Sequence, residues 1–378
     1  MGLGQPYLWP RACSLDGSMS PREICLPRLR TLASFVGLLL LLLPISADAG
    51  QQHPSRVRKA AAPRKPAAAA AAVDQELLAT QVMLDRAGYS PGEIDAVHGT
   101  STERALAAFT KNGGQAATTG DAITSYTITD QDVAGPFVTI PKGDMMALAD
   151  LPALGYANVT EALGERFHAS PTLLKRLNPG ATFAAGETIK VPNVASAAVD
   201  PPVQAQPGQA QPGQAQPVQA QAAPAQPAQA QPAAAGPTRP AGGVTVTVHK
   251  SSSDLVVTDA AGTVLMYAPV TTGSEHDPLP IGEWKVNGVE RDPKFHYNPA
   301  LFWDANQAQA KATIAAGPNN PVGVVWVDIS RPHYGLHGTP EPSTIGKTES
   351  HGCVRLTNWD ALKLASLVKP GTRVVFAE

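Results

Sequence analysis

Cysteine and charge are both scarce in this sequence. It has three cysteines in 378 residues, and only Cys353 lies beyond the first 25 positions. Charged residues make up 16% of the chain, and the formal net charge is −2. This nearly neutral net charge argues against nucleic acid as a partner, since nucleic-acid binding needs a basic surface. The apolar run from Phe35 to Leu43 is too short for a membrane-spanning helix.

Residues 1–49 have the features of a targeting signal. Two arginines precede the apolar run, and Ala47-Asp48-Ala49 follows it as a small-x-small cleavage site. We therefore predict export to the periplasm or cell wall, with no stable membrane span after cleavage. The other two cysteines would leave with the signal, so the mature chain would keep one thiol and no disulfide. A lone thiol in an exported protein favours a reactive role for Cys353.

Proline and alanine are concentrated in two stretches, which divide the chain. Residues 50–73 combine basic residues with proline and an alanine run, and are interpreted as a disordered leader. Residues 194–243 repeat Gln-Ala-Gln-Pro and nearly lack large apolar side chains, so they cannot form a core. They predict a tether that could reach on the order of 100 Å if it is polyproline-like. The length of the chain predicts two or three domains.

The residues best suited to chemistry lie near the C-terminus. They form the stretch Ser350-His351-Gly352-Cys353-Val354-Arg355, with His337-Gly338-Thr339 beginning sixteen positions before the cysteine. A neighbouring imidazole can take the proton of a thiol and leave the more nucleophilic thiolate. Glycines beside a nucleophile allow a turn that exposes sulfur and directs backbone N–H groups at an oxyanion. Arg355 would lie on the same face as the cysteine in an extended segment, where it could pair with a substrate carboxylate.

Two other interpretations of this cluster remain open. Cys353 could be a buried structural cysteine, although that role requires no histidine, glycine or arginine around it. The second is a zinc site, but His-x-Cys is an uncommon ligand spacing and no acidic residue is placed as a general base. Its candidate ligands are His333, His337, His351 and Cys353.

The motif resembles the signature of the L,D-transpeptidase catalytic domain, the YkuD family. The resemblance rests on His337-Gly338-Thr339, Ile345-Gly346 and the stretch from Ser350 to Leu356, and it extends over residues 244–378. One departure is visible, because Leu279-Pro280-Ile281-Gly282 stands where the family usually has Thr-Pro-x-Gly. The resemblance implies a β-rich mixed sandwich or barrel, which agrees with many short β-branched segments here.

The same resemblance implies a mechanism without a cofactor. Cys353 would be the nucleophile and His337 its general base, held by the carbonyl of Gly338 or of its neighbour. The N–H groups of Gly352 and Cys353 would form the oxyanion hole. The substrate would be a peptidoglycan stem tetrapeptide, cut after its third residue with loss of D-alanine and joined to another stem by a 3-3 cross-link. The remaining polar residues of the motif would contact this substrate: Ser350, His351, Arg355 and Thr339.

Other outcomes stay open from the sequence. The acyl acceptor could be a stem peptide, an envelope protein or water, and the last would make the chain an L,D-carboxypeptidase. Two alternatives from other functional classes also stay open: a zinc peptidase and a non-catalytic wall-binding protein. The chain is expected to be a monomer.

Two smaller modules are predicted before the linker. Residues 74–113 resemble a helical peptidoglycan-binding domain, with a helix from Asp74, a Gly-Tyr-Ser-Pro-Gly turn and a capping box from Thr100 to Glu103. Residues 114–193 resemble an α+β LysM module, with a helix capped by Ser170 and a closing strand at 186–192. Short strands are also predicted at 126–129 and 137–140, from β-branched composition. The resemblance of both modules implies binding to wall glycan.

Within the catalytic domain, alternation and turn residues predict a series of strands and one helix. The helix should run from Asn358 to Val368, with Thr357 and Asp360 at its capped start. The predicted strands cover residues 244–248, 255–257, 264–267, 283–286, 322–329 and 374–376.

Overall fold

A computed structural model describes residues 72–115, 121–194 and 243–378. The predicted signal, almost all of the basic leader and the interior of the linker lie outside these residues, so their interpretation stays a prediction. Within the described ranges, no helix is long and apolar enough to cross a membrane.

The part of the chain before the linker contains six helices and two strands among the residues described. We refer to residues 72–194 as the N-terminal module. Its elements, in chain order, are α1 Gln75–Arg86, α2 Thr100–Lys111, β1 Ile123–Thr127, α3 Asp130–Val133, α4 Met145–Ala149, α5 Val159–Arg166, α6 Pro171–Leu177 and β2 Thr188–Pro192.

Local capping explains where α1 begins, and it corrects the prediction for α2. The Asp74 side chain accepts a hydrogen bond from the Leu77 N–H (3.0 Å), so α1 starts where the sequence predicted. The capping box at Thr100 is wrong. Gly99 is the N-cap residue and offers no side-chain hydrogen bond, and Thr100 is already the first helical residue.

Two strands far apart in sequence close the second half of the N-terminal module. β1 and β2 pair antiparallel, from Ile123 opposite Pro192 to Thr127 opposite Thr188. The helix predicted after Ser170 is confirmed, since the Ser170 hydroxyl caps α6 by accepting from the Leu173 N–H (3.0 Å). The strand predicted at 137–140 is wrong, because these residues form no regular element.

The two modules predicted before the linker share one hydrophobic core. Leu78 and Val82 of α1 belong to the same buried cluster as Leu163 of α5, Leu174 of α6 and Val191 of β2. Burial of such side chains contributes about 1.5–3 kcal/mol each. Helices α1, α5 and α6 and strand β2 are therefore held together by a common interior.

After the linker, the chain forms a β-rich catalytic domain with one α-helix among the residues described. All six strands predicted from the sequence are present, as is the helix. The elements are β3 Thr245–His249, β4 Asp254–Thr258, β5 Val264–Pro269, β6 Gly282–Arg291, β7 Phe295–Tyr297, β8 Ala312–Ile314, β9 Val325–Ile329, β10 Gly335–His337, β11 Val354–Arg355, α7 Asn358–Leu367 and β12 Arg373–Ala377.

Eight of these strands form one mixed sheet in the order β11-β10-β9-β6-β12-β3-β4-β5. Only the pairs β10–β11 and β3–β12 are parallel. Residues from both ends of the sheet, such as Val354 and Met266, join α7 in a single buried cluster. The prediction of a β-rich domain is confirmed, with one continuous sheet around a core in place of two facing sheets.

The N-terminal module packs directly against this domain. The Ser90 N–H donates to the Tyr267 carbonyl oxygen (2.9 Å), and the Ser90 hydroxyl donates to the Asp360 carboxylate (2.8 Å). The His168 ring stacks on Trp359 with centroids 5.1 Å apart. Tyr267 and Trp359 are almost fully buried, at 3% and 5% exposure. The linker thus connects an N-terminal module and a C-terminal domain that contact each other directly. The sequence analysis predicted a tether there and did not anticipate this contact.

This contact predicts that the fragment 243–378 folds but is less stable than the full chain. Separation would expose Tyr267 and Trp359, which should cost roughly 2–4 kcal/mol and lower the melting temperature by on the order of 10 °C. Thermal denaturation of the purified fragment would measure this loss. Full chain nicked in the linker, but not separated, is the matched control and should melt like the intact protein. Equal melting of the separated fragment would contradict the role of the contact.

Candidate active site

Cys353 lies at the end of a tight turn that leads into β11. The Ser350 hydroxyl donates to the Cys353 carbonyl oxygen (2.6 Å) and accepts from the Gly352 N–H (3.2 Å). Gly352 has a φ of +102°, and a Cβ there would come 2.6 Å from the Tyr334 ring. Only glycine fits this position. The turn leaves the Cys353 side chain partly exposed.

His337 ends β10 and is nearly buried, at 4% exposure. Its Nδ1–H donates to the Gly338 carbonyl oxygen (2.7 Å), which is the hydrogen bond expected from the sequence. A proton held on Nδ1 leaves Nε2 as a base. The ring also stacks on Trp326, with centroids 5.4 Å apart. Burial, with help from the nearby positive charge of Arg355, lowers the pKa of His337 to about 3.

The pKa of the Cys353 thiol is shifted upwards, opposite to the shift that pairing with a charged imidazole would produce. An ion pair with histidine would lower the thiol pKa, yet here burial raises it, against smaller opposing effects of the Gly335 backbone and Arg355. The thiol donates to the carbonyl oxygen of His333 (3.8 Å). These two shifts both favour the neutral form, of the thiol in one case and of the imidazole in the other.

Arg355 lies beside both groups because of strand register. β10 and β11 are parallel, and His337 is the register partner of Arg355. The guanidinium lowers the pKa of both His337 and Cys353. It is only partly exposed, and burial lowers the pKa of the Arg355 guanidinium, against smaller opposing effects of Cys353 and Glu341. The sequence placed Arg355 towards the substrate, whereas the structure also gives it an electrostatic effect on the nucleophile.

This arrangement predicts different outcomes for two substitutions of Arg355. Arg355→Met removes the charge, so the thiol pKa should rise further and alkylation of Cys353 at pH 8 should slow several-fold. Arg355→Lys keeps the charge but loses the planar fork, so it should impair turnover while alkylation stays close to wild type. Iodoacetamide kinetics and melting temperatures would measure both variants. Strong destabilisation by Arg355→Lys would instead indicate a structural role.

His351 faces an aromatic segment that the sequence analysis did not connect with the site. Its Nε2 donates to the Asp304 carboxylate (2.8 Å), and the Phe302 ring meets it edge-on at 5.1 Å. Trp303 lies next to it and is 57% exposed. His351 therefore fixes residues 302–304 against the catalytic motif. Nothing in the local sequence around Asp304 indicates this contact, which spans 47 positions.

Two of the residues predicted to contact the substrate form hydrogen bonds within the protein instead. The Ser350 hydroxyl closes the turn at the cysteine, as described above. The Thr339 hydroxyl accepts from the Glu341 N–H (3.2 Å). Ser350 and Thr339 are both buried. In this structure, Ser350 and Thr339 shape the site rather than face a ligand.

Asn358 is a residue that the sequence analysis missed. It is 1% exposed, and its Oδ1 accepts from the Val324 N–H (3.2 Å) while its Nδ2 donates to the Pro318 carbonyl (3.3 Å). A Cβ on Gly338 would come 2.1 Å from this Oδ1. Asn358 is therefore packed against the residue whose carbonyl holds His337. Its position as the first residue of α7 was its only sequence signal.

The zinc interpretation lacks a ligand set. Across the parts of the chain that the structure describes, no group of three or more His, Cys, Asp and Glu side chains is arranged to hold a metal ion. The four candidate ligands named from the sequence thus do not converge. His337 in particular is buried and committed to the Gly338 carbonyl.

The cysteine turn leads into β11, which pairs with the strand that ends at His337. A comparison of the sequence with known families matches this part of the chain. Residues 243–376 match the L,D-transpeptidase catalytic domain (YkuD). The matched segment contains every residue of the site described above. The N-terminal module lies outside the match, so its peptidoglycan-binding-like and LysM-like character stays a prediction.

Named relatives agree with this match over parts of their length. YqjB of Bacillus subtilis (strain 168), named as an L,D-transpeptidase, is 29% identical over 143 residues, which are 36% of this chain and 73% of that protein. YkuD of Bacillus licheniformis, named likewise, is 54% identical over 57 residues, 15% of this chain and 34% of that protein. The chain thus spans about a third of the length of the first relatives it matches.

The chain is also similar to a solved structure that is named as an L,D-transpeptidase. An L,D-transpeptidase from Mycobacterium smegmatis aligns with 36% of this chain and 58% of its own, at 19% identity and a TM-score of 0.30.

Proposed function

We propose that this chain is a cysteine-dependent L,D-transpeptidase that acts on peptidoglycan stem tetrapeptides and forms 3-3 cross-links. One observation carries the proposal. Within the segment that matches the YkuD family, a partly exposed Cys353 directly precedes the strand that pairs with the strand of a buried His337, and the Nδ1–H of His337 donates to the Gly338 carbonyl. That arrangement supplies a nucleophile and a base with a fixed tautomer.

The first half-reaction forms a thioester. As Sγ of Cys353 attacks the carbonyl carbon of the third stem residue, Nε2 of His337 takes the thiol proton. The oxyanion that develops would receive hydrogen bonds from the N–H groups of Gly352 and Cys353. Gly352 donates to Ser350 in the free protein, so an oxyanion must share or replace that bond. Collapse breaks the amide bond, and the proton on His337 leaves with the amine of D-alanine.

The second half-reaction restores the enzyme. The side-chain amine of another stem attacks the thioester and loses a proton to His337. The C–S bond then breaks, an amide forms between the two stems, and the proton returns to Cys353. The resting neutral pair suits this cycle, because the low pKa of His337 prevents it from trapping the proton between steps.

The N-terminal module would bring the enzyme to its polymer. Its resemblance to peptidoglycan-binding and LysM modules supports binding to wall glycan, after export by the signal at 1–49. Attachment near the substrate raises its local concentration without any new chemistry.

The decisive experiment is incubation of the mature protein with defined tetrapeptide muropeptides, followed by mass spectrometry. A cross-linked dimer that has lost one D-alanine supports the proposal. A tripeptide alone would indicate an L,D-carboxypeptidase, and a peptide-linked envelope protein would indicate a protein acceptor. Unchanged substrate with retained binding to sacculi would favour a non-catalytic wall-binding protein. Loss of activity with chelators but not with thiol reagents would favour a zinc peptidase.

A further inference from the structure

The β7–β8 hairpin, residues 295–314, lies beside the cysteine turn. Its two strands pair antiparallel and form a sheet of their own. In the connection between them, the Asp304 carboxylate accepts from Nε2 of His351 (2.8 Å), and the Phe302 ring meets the same imidazole edge-on. His351 directly precedes Gly352, whose N–H is one of the two proposed oxyanion donors. The position of the hairpin is therefore coupled to the turn that carries the nucleophile.

The contact with His351 is too exposed to hold the hairpin in place by itself. The side chain of His351 is 27% exposed and that of Asp304 is 49% exposed. Exposed ion pairs and hydrogen bonds contribute little to stability, because water competes for both partners. Within the hairpin, the Gln307 side-chain amide donates to three carbonyl oxygens, those of Pro299, Phe302 and Ala305. These bonds keep the shape of the connection but do not fix it relative to the cysteine turn.

Apolar support for the hairpin comes from the N-terminal module. We refer to residues 144–154, which contain α4, as the α4 segment. Leu154 of this segment is fully buried in one apolar cluster with Tyr297 and Ile314 of the hairpin. Phe302 packs against the same cluster and stacks on Tyr297, with centroids 5.8 Å apart. The ring that contacts His351 thus rests on a cluster completed by the N-terminal module.

Leu154 is fixed through its backbone as well. Its N–H donates to the Ala316 carbonyl oxygen (3.0 Å), and its own carbonyl oxygen accepts from the Asn319 N–H (3.0 Å). Gly317 lies between these partners, and a Cβ there would collide with the Leu154 carbonyl oxygen. Such a close approach of two backbones requires glycine. Residues 316–319 follow β8, so the N-terminal module is attached at the base of the hairpin.

We propose that Leu154 is a positioning residue of the active site. By supporting Phe302, it holds the hairpin against His351 and keeps the turn at Gly352 and Cys353 in the geometry that turnover requires. This inference rests on the proposed transpeptidase function. It goes beyond that function, because the N-terminal module then takes part in the geometry of the reaction as well as in attachment to the wall.

The thiol and its base do not depend on the hairpin in the same way. Cys353 leads into β11 and His337 ends β10, and both strands belong to the large sheet. A displaced hairpin should therefore disturb the oxyanion donors but leave the reactivity of the thiol unchanged. Iodoacetamide separates the two effects, since its alkylation of sulfur releases iodide and forms no oxyanion.

The test compares Leu154→Ala with Leu173→Ala in the full mature chain. Both leucines are fully buried in the N-terminal module, but Leu173 belongs to the core around α1, α5, α6 and β2. Both variants should lower the melting temperature, because each leaves a cavity. Only Leu154→Ala should reduce kcat for tetrapeptide muropeptides, by roughly ten- to a hundredfold through misplacement of the donors. Its rate of alkylation by iodoacetamide should equal that of wild type.

Two combinations distinguish positioning from general destabilisation. Asp304→Ala removes the hydrogen bond to His351, so it acts through the same hairpin as Leu154→Ala. The loss of turnover in this double variant should be smaller than the product of the two single losses. The losses should multiply when Asp304→Ala is combined with Leu173→Ala. Leu154→Met conserves the side-chain volume and should restore most of the turnover.

Hydrogen exchange gives a measurement that does not depend on activity. The N–H groups of Leu301, Phe302 and Ala305 are hydrogen-bonded within the hairpin, so they should exchange slowly while it is held in place. Leu154→Ala should speed exchange in peptides that cover residues 298–311 and leave those of β3 and β4 unchanged. Leu173→Ala should not affect the hairpin. Leu154→Val, a smaller deletion, replaces Leu154→Ala if the latter does not fold.

Three results would overturn the inference. These are wild-type turnover by folded Leu154→Ala, unchanged exchange in its hairpin, or equal losses of turnover in Leu154→Ala and Leu173→Ala. Absence of muropeptide turnover in the wild-type chain would contradict the proposed function instead. In that case hydrogen exchange would still decide whether Leu154 positions the hairpin.

Discussion

Cys353→Ala is expected to reduce muropeptide turnover by at least about a thousandfold, because it removes the thiol that would form the proposed thioester. Cys353→Ser should be nearly as inactive, since a hydroxyl beside a neutral imidazole is a much weaker nucleophile at neutral pH. Product formation by mass spectrometry, together with detection of an acyl adduct on the intact protein, would measure both variants.

The structure supplies the control for this experiment. Cys353 is partly exposed and its side chain makes one weak hydrogen bond, so both variants should melt close to wild type and still bind sacculi. Residual turnover above a hundredth of wild type in Cys353→Ala would mean that another nucleophile carries the reaction.

His337→Ala should have the second largest effect, roughly a hundred- to ten-thousandfold on turnover, because it removes the general base. The loss should not add to that of Cys353→Ala, since the two act as one unit. His351→Ala is the matched control. It removes the hydrogen bond to Asp304 but leaves the Nε2 of His337 in place, so turnover should fall while thiol alkylation changes less. The reverse order of alkylation rates would assign the base to His351.

The pH dependence of activity and of alkylation distinguishes a neutral thiol and imidazole from a thiolate–imidazolium pair. With its pKa near 3, His337 stays unprotonated through the neutral range and should produce no loss of activity between pH 5 and 7. Because burial raises the pKa of Cys353, alkylation of the free enzyme should keep rising above pH 8. A plateau below pH 7 would instead indicate a thiolate–imidazolium pair.

The lowered pKa of His337 also makes the free energy of unfolding depend on pH. The unfolded imidazole titrates near 6.5 and the folded one near 3, so between these values the unfolded state binds more protons. Stability contributed by neutral His337 is present above pH 6.5 and is lost as the pH falls towards 3, by up to about 1.4 kcal/mol per pH unit. His337→Gln should flatten this acid-side decline in melting temperature.

The sequence by itself determined the elements whose signals are local. The Asp74 and Ser170 caps, the alternation in the strands of the catalytic domain and the capped start of α7 depend on neighbours within a few positions. The motif around Cys353 likewise indicated the proposed nucleophile and the histidine whose ring donates to the Gly338 carbonyl. The misplaced cap at Thr100 and the absent strand at 137–140 show the limit, since propensity alone does not decide which residue begins an element.

Only the tertiary structure decided the state and surroundings of the site. Whether a thiol gains or loses a proton depends on burial and on charges brought in from other strands, so the raised pKa of Cys353 was invisible in the motif. Asp304 and Asn358 reach the site through contacts between elements far apart in the chain. The docking of Ser90 on Asp360 joins residues 270 positions apart. Such pairings depend on how whole faces pack, and no local pattern records them.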